Sequence, residues 1–314
     1  MMLGKTAGGL FWMFRYLERA ENTARLLEAG WHMALNRSST ASNEWQSIVT
    51  TAGVLNAYNQ KYDEFSASHV INFLLRDKDN PSSVMNSIDL ARSNARQVRT
   101  ALSSEVWEAV NECWMILKQE LARPVVERNL HDMLSMIRYR TSVVRGALYG
   151  TMLRNDIFAF SRLGTFLERA DNTARILDVK YYLLLPSASF VGSSMDNVQW
   201  EVILHSVSAQ RSYRWLHGGD ISAQGIVDFL VFDRRMPRSL AFCVAETVQY
   251  LDQLEQEYGT RQDSQILAER MADRMSQNTI ESVFQNGLHE FLAEFIADTT
   301  QLAKHIEQDF SFYG

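Results

Sequence analysis

Two sets of polar residues with the same spacing are the part of this sequence that could do chemistry. Each set has two carboxylates, an amide and a guanidinium: Glu18, Glu21, Asn22 and Arg25 in the first, and Glu168, Asp171, Asn172 and Arg175 in the second. At 100° per helical residue, each set falls within an arc of about 100°, so a helix would present it on one face. Such a face can bind cations through its carboxylates and anions through its guanidinium. The arginines that follow the first glutamates, Arg19 and Arg169, belong to the same candidate binding set.

The repetition of these polar residues argues against a plain solvated surface. A solvated face with a Glu21–Arg25 pair at i,i+4 adds only about 0.2–0.5 kcal/mol, and it gives no reason to keep Asn and Arg at the same steps twice. Two such helices related by a pseudo-two-fold axis would place their polar faces opposite each other across a cleft. The charges would then be partly desolvated and satisfied by one another or by a ligand. A binding site and a purely structural buried network both fit this arrangement.

The polar sets belong to a duplication that covers much of the chain. Residues 17–28 and 167–178 are identical at nine of twelve positions, and the other three are Glu/Asp or Leu/Ile exchanges. Further along, the motif Asp-x-x-x-Pro-x-Ser at 77–83 returns at 233–239, and the correspondence then fades. We therefore predict two tandem pseudo-repeats of about 150–160 residues, packed as one globular unit. Their predicted bounds are 1–150 and 151–314.

Composition and periodicity predict an all-α protein, a helical bundle. Of the 314 residues, 46% are hydrophobic and only 4 are Pro, and no alternating Val/Ile/Thr run indicates a strand. The polar sets lie on two long helices predicted over about 7–36 and 157–185. Pro81 and Pro237 stand where the first residue of a later helix in each half is expected. A single helix is predicted over 279–310.

Charge, hydropathy and cysteine content exclude several classes of protein. The net charge is −6 with no basic tail, so we expect no nucleic-acid partner. No apolar run reaches the roughly 18 residues of a transmembrane helix, and no signal-peptide pattern opens the chain, so we expect no membrane partner. Cys113 and Cys243 form neither a disulfide framework nor a zinc motif, which predicts a cytoplasmic protein.

Two further polar stripes are visible at helical spacing. Arg92, Arg96 and Arg99 form a basic stripe and are secondary candidates for binding an anion. The alternative for this stripe is an exposed basic face paired with nearby glutamates. The second stripe consists of His131, Ser135, Arg138, Ser142 and Arg145.

Several signatures of catalysis are missing from the sequence. The Glu-x-x-His pair of ferritin-like di-iron bundles does not occur, and there is no P-loop, no Rossmann glycine fingerprint and no Gly-x-Ser-x-Gly. We therefore predict no metal site and no cofactor of the chain's own. We also predict that the chain does not use ATP by itself.

Four segments of the chain together carry a family resemblance. They are 3–27 with Leu-Glu-Arg-Ala-Glu at 17–21, 73–83, 91–99, and 160–171 with Leu-Glu-Arg-Ala-Asp. These segments resemble those of the bacterial alpha-E family, an all-helical set of proteins named for its characteristic glutamates. Two residues depart from the family's pattern, because Phe14 stands where a Gly is usual and Thr165 stands where an Arg is usual.

The resemblance implies association with a circularly permuted ATP-grasp protein. A transglutaminase-like peptidase and a proteasome-like Anbu peptidase often accompany that pair. ATP-grasp proteins activate a carboxylate as an acyl phosphate for attack by an amine. The resemblance therefore implies a system that makes or processes a peptide or amide product, in which the partner uses the ATP.

The preferred hypothesis is a helical accessory or substrate-handling subunit of such a system. Its twin Glu/Arg faces would hold an amine or amino-acid substrate, or bind the ligase. One alternative is an acid–base or metal-dependent enzyme, which needs raised carboxylate pKa values or a bound cation. The other is a structural scaffold, which burial of Glu18 and Glu168 with every oxygen paired to protein would favour.

Overall fold

The computed structural model describes residues 2–35, 41–183, 194–219 and 221–313. Within these ranges the chain forms fifteen α-helices and no β-strand, so the predicted all-α class is confirmed. The helices up to residue 151 are α1 Gly4–Leu35, α2 Ala41–Thr51, α3 Leu55–Asn59, α4 Ala67–Arg76, α5 Val84–Gln97, α6 Ser104–Glu120 and α7 Leu130–Thr151. The later helices are α8 Asp156–Leu183, α9 Ser194–Ser206, α10 Gln210–His217, α11 Ala223–Phe232, α12 Leu240–Tyr258, α13 Asp263–Gln277, α14 Ile280–Asn286 and α15 Leu288–Asp309.

The two long helices that carry the polar sets lie at the centre of the bundle. α1 packs along α8, α5 and α7, and α8 also packs against α12 and α15. Gly164 allows α1 and α8 to approach closely, because a Cβ at this position would lie 2.1 Å from the carbonyl oxygen of Phe11. One hydrophobic core joins residues from both predicted halves, for example Phe11 and Tyr58 with Phe166 and Tyr213. The bounds 1–150 and 151–314 stay a prediction.

Several helices of the first half have a counterpart of the same kind in the second. α4 and α11 each begin after a serine, Ser66 or Ser222, whose hydroxyl accepts a hydrogen bond from a backbone N–H of the first turn. Ser83 and Ser239 do the same for α5 and α12. Serine is a favoured N-cap because its oxygen satisfies a backbone N–H that has no partner within the helix.

Three sequence-based helix bounds change in the structure. Pro81 and Pro237 are not the first helical residues, because the serine caps place the helix starts at Val84 and Leu240. The single helix predicted over 279–310 is interrupted at Gly287, whose φ of 106° does not fit a helix.

The predicted helices over 7–36 and 157–185 correspond to α1 and α8. They begin at Gly4 and Asp156. Residue 36 and residues 184–185 lie outside the described ranges. Among the helices that the structure describes, none has both the length and the apolar character needed to cross a bilayer.

Candidate functional site

The polar faces of α1 and α8 meet through reciprocal ion pairs. Arg169 donates from Nε and Nη2 to the two oxygens of Glu18, at 2.9 and 3.0 Å. Arg19 donates from the same two nitrogens to Glu168, at 2.6 and 3.0 Å. Equivalent residues of the two helices thus exchange partners, as in a two-fold interface where residue i contacts j and j contacts i. This exchange places the two predicted faces opposite each other.

One side of this helix pair is a filled network that we call the closed cluster. Arg238 occupies its middle, with Nη1 at 3.0 Å from Glu18 Oε1 and 2.9 Å from Asn22 Oδ1, and Nη2 at 2.8 Å from Glu21 Oε1. Arg145 of α7 also donates to both glutamates. The closed cluster consists of Glu18, Glu21, Asn22, Arg25, Arg145, Arg169 and Arg238.

The carboxylates of the closed cluster are held in their charged form. Burial raises the pKa of Glu18, but the guanidinium groups of Arg169 and Arg238 outweigh it and lower that pKa well below its usual range. The pKa of Glu21 is lowered as well, because the guanidinium groups around it outweigh burial and the neighbouring charge of Glu18. Burial lowers the pKa of Arg238 to about 10, so its guanidinium stays protonated at neutral pH.

The other side of the helix pair is a cavity of about 230 Å³ that we call the open cleft. It is lined by Arg19, Asn22, Thr23, Leu26, Thr51, Ala52, Gly53, Ser82, Glu168, Asp171, Asn172 and Arg175. Both oxygens of Glu168 are paired, since Arg15 donates to Oε2 at 3.0 Å beside the two bonds from Arg19. Asp171 accepts two hydrogen bonds from Arg175, at 2.7 and 3.1 Å.

The electrostatics of Glu168 follow the pattern of the closed cluster. Burial raises its pKa, but the guanidinium groups of Arg19 and Arg15 outweigh burial and lower the pKa to about 2. The residue is therefore a carboxylate at every physiological pH. Neither Glu18 nor Glu168 is suited to donate a proton.

The open cleft has polar groups that find no partner in the described part of the chain. Asn22 is buried, and its Nδ2 has no hydrogen-bond partner among the described residues. Asn172, at the matching position of α8, is half-buried, and none of the hydrogen bonds found in the described chain involves its side chain. A buried amide without a partner costs about 1–3 kcal/mol, so a ligand or ordered water that supplies the missing bond is favoured.

The ten predicted binding residues divide between the two sides. Six line the open cleft: Arg19, Asn22, Glu168, Asp171, Asn172 and Arg175. Glu18, Glu21, Arg25 and Arg169 belong to the closed cluster, and Asn22 belongs to both sides because its Oδ1 also accepts a hydrogen bond from Arg238. Arg25 pairs with Glu21 and also donates to Ser208.

The secondary arginines lie elsewhere, along α5 and the turn after it. Arg92 stacks on Trp114, with 4.0 Å from its guanidinium carbon to the ring centre, and donates to Asn111 at 2.9 Å. Arg99 lies over Trp107, and Arg96 is exposed. None of the three lines the open cleft.

Sequence reasoning missed three arginines of the network. Arg15 lies on α1 itself, one turn before Glu18, and Arg145 belongs to the second polar stripe seen in the sequence. Arg238 stands between Pro and Ser in the repeated motif, where the first half has Ser82. This difference between two otherwise matching motifs is the signal that could have identified Arg238.

A second pair of matching contacts lies further along α1 and α8. At the start of α7, Nδ1 of His131 lies 3.6 Å from Oε1 of Glu28. At the start of α15, Nδ1 of His289 lies 2.5 Å from Oδ1 of Asp178. α7 and α15 both begin with Leu-His followed by an acidic residue. Counterparts are therefore present beyond residue 83, where the correspondence seen in the sequence ends.

The carboxylates of α1 and α8 do not form a grouping suited to a metal ion within the described chain. The one group of three whose ligand atoms lie within 4.8 Å of one another there is Asp263, His305 and Asp309. Asp309 in that group accepts a hydrogen bond from the backbone N–H of Ser264 at 2.8 Å, so it already caps α13.

Comparison with known proteins gives relatives in mycobacteria. An uncharacterised protein of Mycobacterium bovis is 24% identical over 251 residues, and one of Mycobacterium tuberculosis strain H37Rv is 23% identical over the same length. Each match covers 74% of this chain but only 28% of the relative, so the chain spans less than a third of their length. No solved structure matches the chain.

A family match covers nearly the whole chain. The model of the Alpha-E family, described as a predicted α-helical domain with a conserved ER motif, matches residues 2–310. Glu-Arg occurs four times in the sequence, at 18–19, 127–128, 168–169 and 269–270. The copies at 18–19 and 168–169 are the ones that exchange partners between α1 and α8. With the family model matching residues 2–310 and the Glu-Arg pairs at 18–19 and 168–169 joined at the centre of a helical bundle, the chain belongs to the Alpha-E family.

Proposed function

We propose that this chain is a substrate-handling subunit of an amide-bond-forming system, and that the open cleft holds the amine or amino-acid substrate. In this proposal a circularly permuted ATP-grasp partner activates the carboxylate component, and transglutaminase-like and Anbu proteasome-like peptidases act in the same cytoplasmic system. The observation that carries the proposal is the open cleft itself. It lies between the two repeated helices, and six of the ten candidate residues line it.

The open cleft favours binding over catalysis by this chain alone. A carboxylate acting as general acid at neutral pH needs a raised pKa. The pKa values of Glu18, Glu21 and Glu168 are lowered instead. The same charges suit recognition, because fixed carboxylates, amides and guanidinium groups can orient a small polar molecule.

A structural scaffold is the second candidate function, and a specific observation favours it. Glu18 and Glu168 are only 2% and 6% exposed, and every carboxylate oxygen of both is paired with an arginine. This is the outcome that favours an internal network. It accounts for the closed cluster, but it gives no role to the amide N–H groups of Asn22 and Asn172, which have no partner among the described residues.

The experiment is a pull-down with the ATP-grasp protein encoded beside this chain, followed by ATP hydrolysis with a panel of amines and amino acids. We expect a stable complex and faster ATP turnover with the substrate. Asn172→Leu, which removes from the open cleft an amide that has no partner among the described residues, should abolish the stimulation. Asn286→Leu, the same change at an exposed position of α14, should leave it intact.

Two results would contradict the proposal. A complex whose ATP turnover ignores every amine would reduce the chain to a scaffold. Equal stimulation by the wild-type chain and by Asn172→Leu would remove the open cleft from the function.

A further inference from the structure

The open cleft and the closed cluster are built from counterparts. Each has a glutamate, a second acid, an asparagine and an arginine from one long helix, and a Glu-Arg arginine from the other. In the closed cluster these are Glu18, Glu21, Asn22, Arg25 and Arg169, and around the open cleft they are Glu168, Asp171, Asn172, Arg175 and Arg19. The differences between the two sides therefore show what the open cleft lacks.

The first difference is a side chain that fills one side only. Pro237-Arg238-Ser239 in the second half matches Pro81-Ser82-Ser83 in the first, and both serines that end these motifs cap the following helix. Arg238 reaches into the closed cluster, whereas Ser82 only lines the wall of the open cleft. The cavity lies where a guanidinium is present on the other side.

The second difference widens the same space. Ser208 and Gly53 are matching residues after α9 and α2, and both have left-handed backbone angles, with φ of 55° and 71°. Ser208 Oγ accepts a hydrogen bond from Arg25. Gly53 has no side chain, and a Cβ there would lie 3.6 Å from Nη1 of Arg175. The glycine thus leaves the open cleft side of Arg175 uncovered.

The contacts of Arg238 indicate what the open cleft would bind at the position that corresponds to this guanidinium. Its guanidinium bonds to the oxygens of a glutamate, a second acid and an asparagine. The counterparts of all three line the open cleft, namely Glu168, Asp171 and Asn172. The geometry points to a binding site in the open cleft for the cationic end group of a small molecule, either a guanidinium or a primary ammonium. This group would lie at the position that Arg238 fills in the closed cluster. This assignment rests on the proposed function and names its substrate class.

The open cleft has one guanidinium group fewer around its two carboxylates than the closed cluster has. In the closed cluster two carboxylates are surrounded by four guanidinium groups, those of Arg25, Arg145, Arg169 and Arg238. Around the open cleft two carboxylates are paired with three guanidinium groups, those of Arg15, Arg19 and Arg175. One bound cation would make the two sides alike, and the closed cluster shows that the fold holds that composition.

The size of the open cleft suits a molecule no larger than an amino acid. Its volume of about 230 Å³ lies below the roughly 300–1,000 Å³ of pockets that take drug-sized ligands. Asn22, whose Nδ2 has no hydrogen-bond partner among the described residues, lines the same wall. A basic amino acid would bring a cationic end group and also a carboxylate that can accept a hydrogen bond from an amide.

The test is calorimetric titration of the full chain with L-arginine, L-lysine and L-citrulline. Citrulline has nearly the shape of arginine but a neutral ureido group. We expect arginine or lysine to bind at least about tenfold more tightly than citrulline, because a hydrogen bond between charged groups is worth more than a neutral one. Equal affinity for arginine and citrulline would overturn the inference.

A variant that fills the vacant position gives an independent test. Ser82→Arg introduces the side chain that Arg238 has at the matching position. The new guanidinium should occupy the open cleft and weaken arginine binding at least about tenfold. Ser276→Arg, at an exposed position near the end of α13, is the matched control and should bind arginine as the wild type does. Unchanged binding by a folded Ser82→Arg protein would overturn the inference.

A charge change keeps the inference testable if Ser82→Arg does not fold. Asn172→Asp places a third carboxylate at the half-exposed wall, so it should strengthen arginine binding, whereas weaker binding would count against a cation-binding site.

These titrations need no partner protein, so they separate this inference from the proposed function. Arginine binding without any effect on ATP turnover would refute the proposed function alone, and stimulated turnover without cation binding would refute this inference alone.

Discussion

The closed cluster and the open cleft are built from counterpart residues of α1 and α8, but they differ at their centres. The closed cluster has a guanidinium at its centre, and the open cleft has a cavity in the matching place. Two small residues, Ser82 and Gly53, account for the difference, because their counterparts are Arg238 and Ser208. A duplicated network can thus keep one copy as an internal support while the other becomes available to a ligand.

Removing the central arginine of the closed cluster should have the largest effect. Arg238→Ala would leave Glu18 and Glu21 buried with fewer partners, and breaking a buried ion pair costs about 3–5 kcal/mol. Ser82→Ala, the matching change in the open cleft, should change the free energy of unfolding by less than about 0.5 kcal/mol. Urea denaturation of both variants measures the contrast. Equal losses would mean that the two sides do not differ as described.

Acid should unfold the protein through the same carboxylates. A group whose pKa is lower in the folded state stabilises the protein fully above its unfolded pKa. For Glu168 this contribution should fade as the pH falls from about 4.5 to about 2. Urea midpoints between pH 6 and pH 2.5 measure the loss.

Glu168→Gln is the control for this acid dependence. It should lower the stability at pH 6, because Arg15 and Arg19 lose their carboxylate, and it should flatten the dependence below pH 4.5. A variant with the full wild-type slope would exclude Glu168 as its source.

A change at the closest approach of α1 and α8 should weaken both sides together. The Cβ of Gly164→Ala would meet the backbone of Phe11, and overpacking of this kind costs about 1–3 kcal/mol. Gly146→Ala on α7 is the control, since nothing lies within 4 Å of its Cβ and alanine favours a helix by about 0.4–1 kcal/mol. Thermal unfolding separates these opposite signs. A stabilised Gly164→Ala protein would show that the helices do not meet there.

The smallest effect should come from the acid at the rim of the open cleft. Among the described residues, Asp171 forms a salt bridge only with Arg175 one turn away, and both side chains are partly exposed, so Asp171→Asn should cost about 0.3–0.5 kcal/mol. Glu21, its counterpart, is fully buried and accepts bonds from Arg25, Arg145 and Arg238. Glu21→Gln should therefore be several times more destabilising. Similar losses by urea denaturation would contradict the difference in burial.

The helical periodicity and the repetition were enough to predict several features. The all-α class, the long helices that became α1 and α8, and a polar face on each can be read from spacing alone, because a helix converts spacing into direction. The exact ends of the helices were harder to predict. Pro81 and Gly287 were both misjudged, since a serine cap and a left-handed glycine depend on backbone geometry that the apolar pattern does not show.

The sequence by itself determined that two nearly identical helices each present the same polar stripe on one face, because a helix converts spacing into direction. Only the tertiary structure decided which charges are buried, filled or open. Arg145 and Arg238 come from α7 and from the turn before α12, and no local pattern shows that they reach α1. The physical reason is that burial and pairing are set by elements far apart in the chain, and a single side chain, Arg238 or Ser82, is enough to close a cavity or leave it open.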